Sequence, residues 1–297
     1  MKRFILFIIP VLSMTSNIYA TRFYMSPFGL DSSNGTSSAT AVATSSKCAS
    51  LMSDGDVCQI STGITSLELL FVSTGLGSGA FGAQLTNTSF ASHTGGRINF
   101  VGISSATPPI AQGYTLLWNC LDLSSVTFQD IVHHRGLGDR TVEGDNVDYC
   151  KFIRIGSKNG SLWGETFSNI MELIHGSTYN LFEECWVVGV FRYAFLIGGS
   201  TGFDIFNIVR RCFTRFDGSN TNQPIAGFAA YGETTGVDGA QSNLFQNNLS
   251  FDYNGSTHAP LTNIDAAMYT PHGATGTIFV GNLVLNCRAI ETRGILM

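Results

Sequence analysis

Asn180-Leu181-Phe182-Glu183-Glu184-Cys185 is a phrase that returns along the second half of the chain, as Asn207-Ile208-Val209-Arg210-Arg211-Cys212 and as Asn243-Leu244-Phe245-Gln246-Asn247-Asn248. Looser copies are Asn146-Val147-Asp148-Tyr149-Cys150 and Thr277-Ile278-Phe279-Val280-Gly281-Asn282. Aligned on their last residues, successive copies lie 35, 27, 36 and 34 residues apart. Each is a short apolar run closed by Cys or Asn and followed by β-formers and a turn. Self-similarity at that period, without helical spacing, predicts a solenoid of parallel strands in which stacked neighbours supply one another's core. Side chains alternate along a strand. Phe182, Val209 and Phe245 are therefore expected to stack inward, and Glu183, Arg210 and Gln246 outward, with Asp148 in the outer column. Cys150, Cys185 and Cys212 are expected to sit above one another as buried thiols. An Asn at the closing position can bond turn backbone and the Asn of the next coil.

Composition agrees with many short strands. The 297 residues include 33 Gly and 22 Phe but only 12% charged side chains, and Gly, Asn, Ser and Thr crowd the connections. A net charge of −5, with no cluster of Lys and Arg beyond a dipeptide, argues against a nucleic-acid partner. Lys2-Arg3, the apolar run from Phe4 to Leu12 and Asn17-Ile18-Tyr19-Ala20 read as an export signal over 1–20, the alternative being a buried first strand. No later segment reads as a membrane span, so an exported, secreted or periplasmic, soluble protein is expected. Of seven Cys, Cys48 and Cys58 flank the Ser53-Asp54-Gly55-Asp56 turn and are expected to form a disulfide. No CxxC spacing suggests a metal.

The entry segment carries a resemblance. Phe23-Tyr24-Met25-Ser26-Pro27 reads as a strand, Gly29-Leu30-Asp31-Ser32-Ser33-Asn34-Gly35-Thr36 as a polar loop, Ala39 to Met52 as a short helix, and Val57-Cys58-Gln59-Ile60 as a second strand. This resembles the start of secreted right-handed parallel β-helix proteins of the pectate-lyase-like superfamily. Phe23, Tyr24, Ser26, Pro27, Gly29, Asp31, Asn34, Gly35 and Thr36 carry the match. Ser53-Asp54-Gly55 departs from it, the family having Pro-Gly-Asp there. The resemblance implies an all-β fold, a right-handed single-stranded parallel β-helix with a short N-terminal capping helix, over residues 21–297. It also implies a polysaccharide lying along the outer face of one stacked sheet. The chain stops soon after a strand phrase, at Thr292-Arg293-Gly294-Ile295-Leu296-Met297, with no polar cap; either the last coil meets another subunit or the sequence is incomplete, and the second is the expectation.

Three groups of residues carry chemistry. Arg192-Tyr193, Arg210-Arg211 and Arg215 are of the types a polyuronate lyase needs, to neutralise a substrate carboxylate and to remove the C5 proton. On that reading Arg192, Tyr193, Arg210 and Arg215 are catalytic, and Lys151, Glu183, Asp217, His258, Tyr269 and His272 line the substrate. The plain alternative is that the arginines pair with Glu183, Glu184 and Asp217 across coils. The carboxylates Glu183, Glu184, Asp204, Asp217, Asp252 and Asp265 could serve a glycoside hydrolase, which needs two at a fixed separation. Glu183 and Glu184 are neighbours on a strand and are expected to face opposite sides. An acid column of this kind can also hold Ca²⁺, though no ordered calcium loop is present. The histidines His133, His134, His175, His258 and His272 show no zinc spacing. Gly75-Leu76-Gly77-Ser78-Gly79 lacks the Lys of a phosphate loop, and no GxSxG occurs. The expected activity is β-elimination of an acidic polysaccharide. Hydrolysis on the same fold and a non-catalytic surface or adhesion role are the rivals, since fold alone does not choose.

Overall fold

The computed structural model describes residues 20–26, 28–53, 55–61, 85–86, 98–102, 110–113, 118–135, 141–159, 169–190, 192–199, 201–218, 225–232, 239–252, 265–270, 274–286 and 295–296. The strands gather into a long sheet of 14 strands, a second sheet of eight and a short pair, and every strand pair among the described residues is parallel. The order explains why. One pass of the chain runs through Asn169–Ile174 in the second sheet, then Leu181–Glu183 and Trp186–Val190 in the long sheet, and returns to the second sheet at Tyr193–Ile197. The next passes repeat this through Ile208–Arg210 and Phe213–Gly218, then through Leu244–Gln246 and Leu249–Phe251. Each strand bonds to the same strand of the passes before and after it.

The register puts one inward column along the long sheet: Phe23, Cys58, Phe100, Phe128, Phe152, Phe182, Val209, Phe245 and Phe279. Neighbouring rings stack at 5.4, 5.3 and 4.8 Å from Phe100 to Phe182, and at 4.7 Å between Phe245 and Phe279. Phe195 and Phe228 of the second sheet stack on each other at 5.2 Å and turn edge-on to Phe182 and Phe245, closing the core between the sheets. Aromatic pairs favour such offset and edge-on arrangements.

Two kinks per pass shape the strands. Arg154, Glu184, Arg211 and Asn247 occupy one kink, with φ between 50° and 55°. Tyr149, Tyr179, Phe206 and Ser242 occupy the other, with φ between 51° and 57°. A buried asparagine follows the second kind. The Oδ1 atoms of Asn180, Asn207 and Asn243 accept the backbone N–H of Cys150, Asn180 and Asn207 at 2.8, 2.9 and 2.8 Å. Their Nδ2 atoms donate to the carbonyls of Val147, Ser177 and Asp204. After the first kind of kink, Asn248 and Asn282 accept from Cys212 and Asn248 in the same manner. These side chains satisfy backbone groups that the bends leave unpaired in the interior.

This register corrects two sequence expectations. Cys150 lies in the asparagine column, where its N–H meets Asn180, and is not in line with Cys185 and Cys212. The true copy of the phrase starts at Cys150, with Phe152 aligned to Phe182. For the same reason Asp148 bridges to Ser124 and Thr178, and the residue aligned with Glu183 is Ile153.

The entry segment is held by its polar loop. The Asp31 carboxylate accepts from the N–H groups of Ala43 and Thr44 at 2.9 and 3.0 Å and from Thr44 Oγ1 at 2.8 Å. Thr44 in turn caps the helix Ser45–Leu51, its Oγ1 accepting from the Lys47 N–H. Gly29 passes so close to the next segment that a Cβ there would stand 2.2 Å from the Val42 carbonyl oxygen. Cys48 on the helix and Cys58 on the second strand are joined by a disulfide, with Cα atoms 6.3 Å apart.

Candidate functional site

The outer face of the second sheet gathers the groups with most chemical potential. Phe195, Phe228 and Met268 point into the core, so the alternating residues Leu196, Ala229 and Tyr269 face outward in one register column. The same column continues backward through Glu172 and Glu143. Tyr193 opens the strand Tyr193–Ile197 and packs with Leu196, Ala226, Ala229 and Tyr269 in a cluster separate from the main core. The strand between the two tyrosines carries only Ala226 and Ala229 there, and their small side chains let the rings of Tyr193 and Tyr269 approach to 6.4 Å across it.

Arg192 completes the group. Its guanidinium carbon stands 4.7 Å over the Tyr193 ring, and Nη2 donates to the phenolic oxygen at 3.2 Å. Tyr193 is 2% exposed and Tyr269 6%. Burial pushes the Tyr193 phenol up to about 12; Arg192 opposes the shift, and Tyr269 and Tyr231 add to it. Tyr269 is raised too, first by burial and then by Tyr231. Burial thus favours the protonated Tyr193 phenol, the form that donates a proton. One strand earlier, Glu172 is buried, and its Oε2 accepts from Asn169 Nδ2 at 2.7 Å. Glu143 and Glu172 are directly in register on adjacent strands, which sets their backbones about 4.8 Å apart.

The other expected residues lie elsewhere. Glu183 and Arg210 are register partners on the long sheet, and Arg210 Nη2 meets Glu183 Oε1 at 2.8 Å. Arg211 reaches Glu183 as well as Glu184, the latter at 3.2 Å. The two glutamates thus share one guanidinium, contrary to the alternation argument, because Glu184 sits at the kink with φ 55°. Arg154 bonds Asp130 at 2.5 Å and Glu184 at 3.6 Å. Arg215 meets Asp217 at 2.9 Å and Asp252 at 3.5 Å. Lys151 aligns with Leu181, not with Glu183. Of the described residues expected to share a site with Arg192, Tyr193 and Tyr269 join it, while Arg210, Arg215, Lys151, Glu183 and Asp217 belong to the long sheet. His258 and His272 lie outside the described residues, as does the side chain of Asp265. His133 is buried against Thr141 Oγ1 at 3.0 Å, and His175 meets Asp145 at 3.1 Å. Among the described residues no three metal-ligating side chains gather.

Glu143, Glu172 and Tyr231 were not among the residues expected from sequence. The phrase that reveals the repeats belongs to the long sheet. The strands of the second sheet share no phrase, so their mutual register, which makes the glutamates neighbours, has no sequence signal.

No family model matches the chain, and no curated protein matches it. Among solved structures it is similar to a rhamnogalacturonan lyase, with 14% identity and a TM-score of 0.32 over 92% of this chain. The similarity spans 60% of that lyase.

Proposed function

We propose that residues 1–20 are an export signal and 21–297 a right-handed parallel β-helix with the helix Ser45–Leu51 as its cap, which binds an extended acidic polysaccharide on the outer face of the second sheet and cleaves it by β-elimination. Right-handedness follows the general rule for parallel crossovers. The observation that carries the function is the convergence of Arg192, Tyr193, Tyr231 and Tyr269 on one face beside Glu172. Arg192 is suited to neutralise the uronate carboxylate, which acidifies the C5 proton. On this reading Glu172, in register with Leu196 on the adjacent strand, accepts that proton. As the C4–C5 double bond forms, the bond from C4 to the leaving oxygen breaks, and the Tyr193 phenol is suited to protonate that oxygen.

The test is a screen of the purified mature chain against acidic polysaccharides, reading the ultraviolet absorbance of the unsaturated uronate together with reducing ends. Both should rise. Arg192→Ala should then lower turnover by roughly 10²-fold or more with an unchanged melting temperature, whereas Arg210→Ala should leave turnover as it is. Turnover surviving in Arg192→Ala would sink the assignment. The Glu143–Glu172 register favours a second reading, hydrolysis by a carboxylate pair, which would release reducing ends without the absorbance. A folded chain silent on both signals would leave the non-catalytic surface role, in keeping with the neutralised charges of the long sheet.

A further inference from the structure

The kink that leads into the long sheet needs a residue in left-handed backbone, not an aromatic ring. Ser125, Ser242 and Gly276 hold it in three passes, with φ of 62°, 51° and 64°. In the three passes between them it is held by Tyr149, Tyr179 and Phe206, with φ of 55°, 57° and 57°. Bulky residues are strained there, and small ones would serve the bend better. The rings are also left in solvent, at 55%, 48% and 46% exposure. They stand one above another, Tyr149 to Tyr179 at 5.1 Å with planes 2° apart, and Tyr179 to Phe206 at 5.2 Å. Such centroid separations are those of stacked rings, and the surface left open on each ring is the exposed part not covered by its neighbour.

We infer that this exposed ladder is a second contact strip for an acidic saccharide chain, which it holds away from the Arg192 cluster. The strip is flanked on one side by Asp148 and Thr178 and on the other by Lys151 and Leu181. Asp148 is already engaged, its Oδ1 accepting from the Thr178 N–H and hydroxyl. Among the described residues Lys151 has no carboxylate partner, and it opens the strand two positions after Tyr149. An extended saccharide offers a periodic series of C–H faces for the rings, hydroxyls for Thr178 and the tyrosine oxygens, and carboxylates for Lys151. Nucleic acid and anionic membranes are held by clusters of Lys and Arg, of which the strip has a single lysine, whereas a saccharide held mainly through its C–H faces on the rings needs no such cluster. Three half-open rings fall far short of the roughly 1,000 Å² that a stable dimer buries. The inference rests on the polysaccharide reading for its choice of ligand class only, not for the site.

The experiment is isothermal calorimetry on the full chain with polygalacturonate, alginate and hyaluronan. The native chain should bind at least one. Tyr179→Ser places there the residue that Ser125 and Ser242 already supply, so its melting temperature should hold or rise, while affinity for the bound polymer falls roughly tenfold. Phe206→Ser should do the same, and Lys151→Gln should weaken binding with no change in melting. Unchanged affinity in both Ser variants overturns the inference, as does a native chain that binds none of the three. A dimer in sedimentation that Tyr179→Ser dissociates overturns it in favour of a second copy. Cleavage separates the two sites: Arg192→Ala should lose turnover and keep this binding, whereas Tyr179→Ser should lose binding and keep turnover of a short oligosaccharide.

Discussion

Asp204 sits wholly buried on Phe203–Ile205, and its Oδ1 accepts the N–H groups of Gly176 and Ser177 at 3.1 and 2.8 Å. Burial pushes its carboxyl up to about 7 in spite of those donors. In the unfolded chain the same group titrates near about 3.9. Between those values the unfolded state has released the proton and the folded state still holds it, so stability falls as pH rises through this window and levels above it. Asp204→Asn keeps the acceptor and removes the titration. The difference in melting temperature between variant and native should therefore grow in the variant's favour from pH 5 to pH 8, and parallel curves would refute it. At this scale the sequence was half informative. Alternation gave the inward Phe182, Val209 and Phe245 and the outward Glu183, Arg210 and Gln246. Cys150 and Asp148 were misplaced because Cys150 opens its copy of the phrase and does not close it, and nothing in the residue types marks Tyr149 or Arg154 as the bends that frame that copy.

The elements are short, and the polar ladders hold them more than their own length does. Asn207 shows the reason. Its Oδ1 accepts the N–H and Nδ2 of Asn180 at 2.9 and 3.0 Å, and its Nδ2 donates to the Ser177 carbonyl at 2.9 Å. Truncation to Ala leaves a buried donor and a buried acceptor unsatisfied, so Asn207→Ala should lose about 2–4 kcal/mol in urea unfolding. Arg210→Ala, which removes a partly exposed pair, should lose less than about 1 kcal/mol. Equal losses in the two variants would contradict this ranking. The asparagines were readable as ladder residues because they recur in a fixed place. The second-sheet strands were not readable as a site, because Glu143, Glu172, Leu196, Ala229 and Tyr269 become one column only through register between passes.

Across the whole molecule, the described strands are bonded only to strands of neighbouring passes, on both sides through most of the two larger sheets. The repeating phrase made that architecture legible from sequence, since a period without helical spacing admits few other arrangements. The Arg192 cluster was legible in part: Arg192, Tyr193 and Tyr269 were named, but so were Arg210 and Arg215, which share their residue type and not their face. The parallel ladders have a mechanical consequence. Backbone hydrogen bonds between passes point along the stacking direction, so a force applied from end to end loads them one row at a time and not all together in shear. Asparagine contacts between successive passes span 27 and 36 residues in one column and 34 in the other. Held in an optical trap, the chain should lengthen in a staircase of low-force events whose step sizes match those segments, like a coil spring giving way loop by loop, and a single large rupture would contradict it.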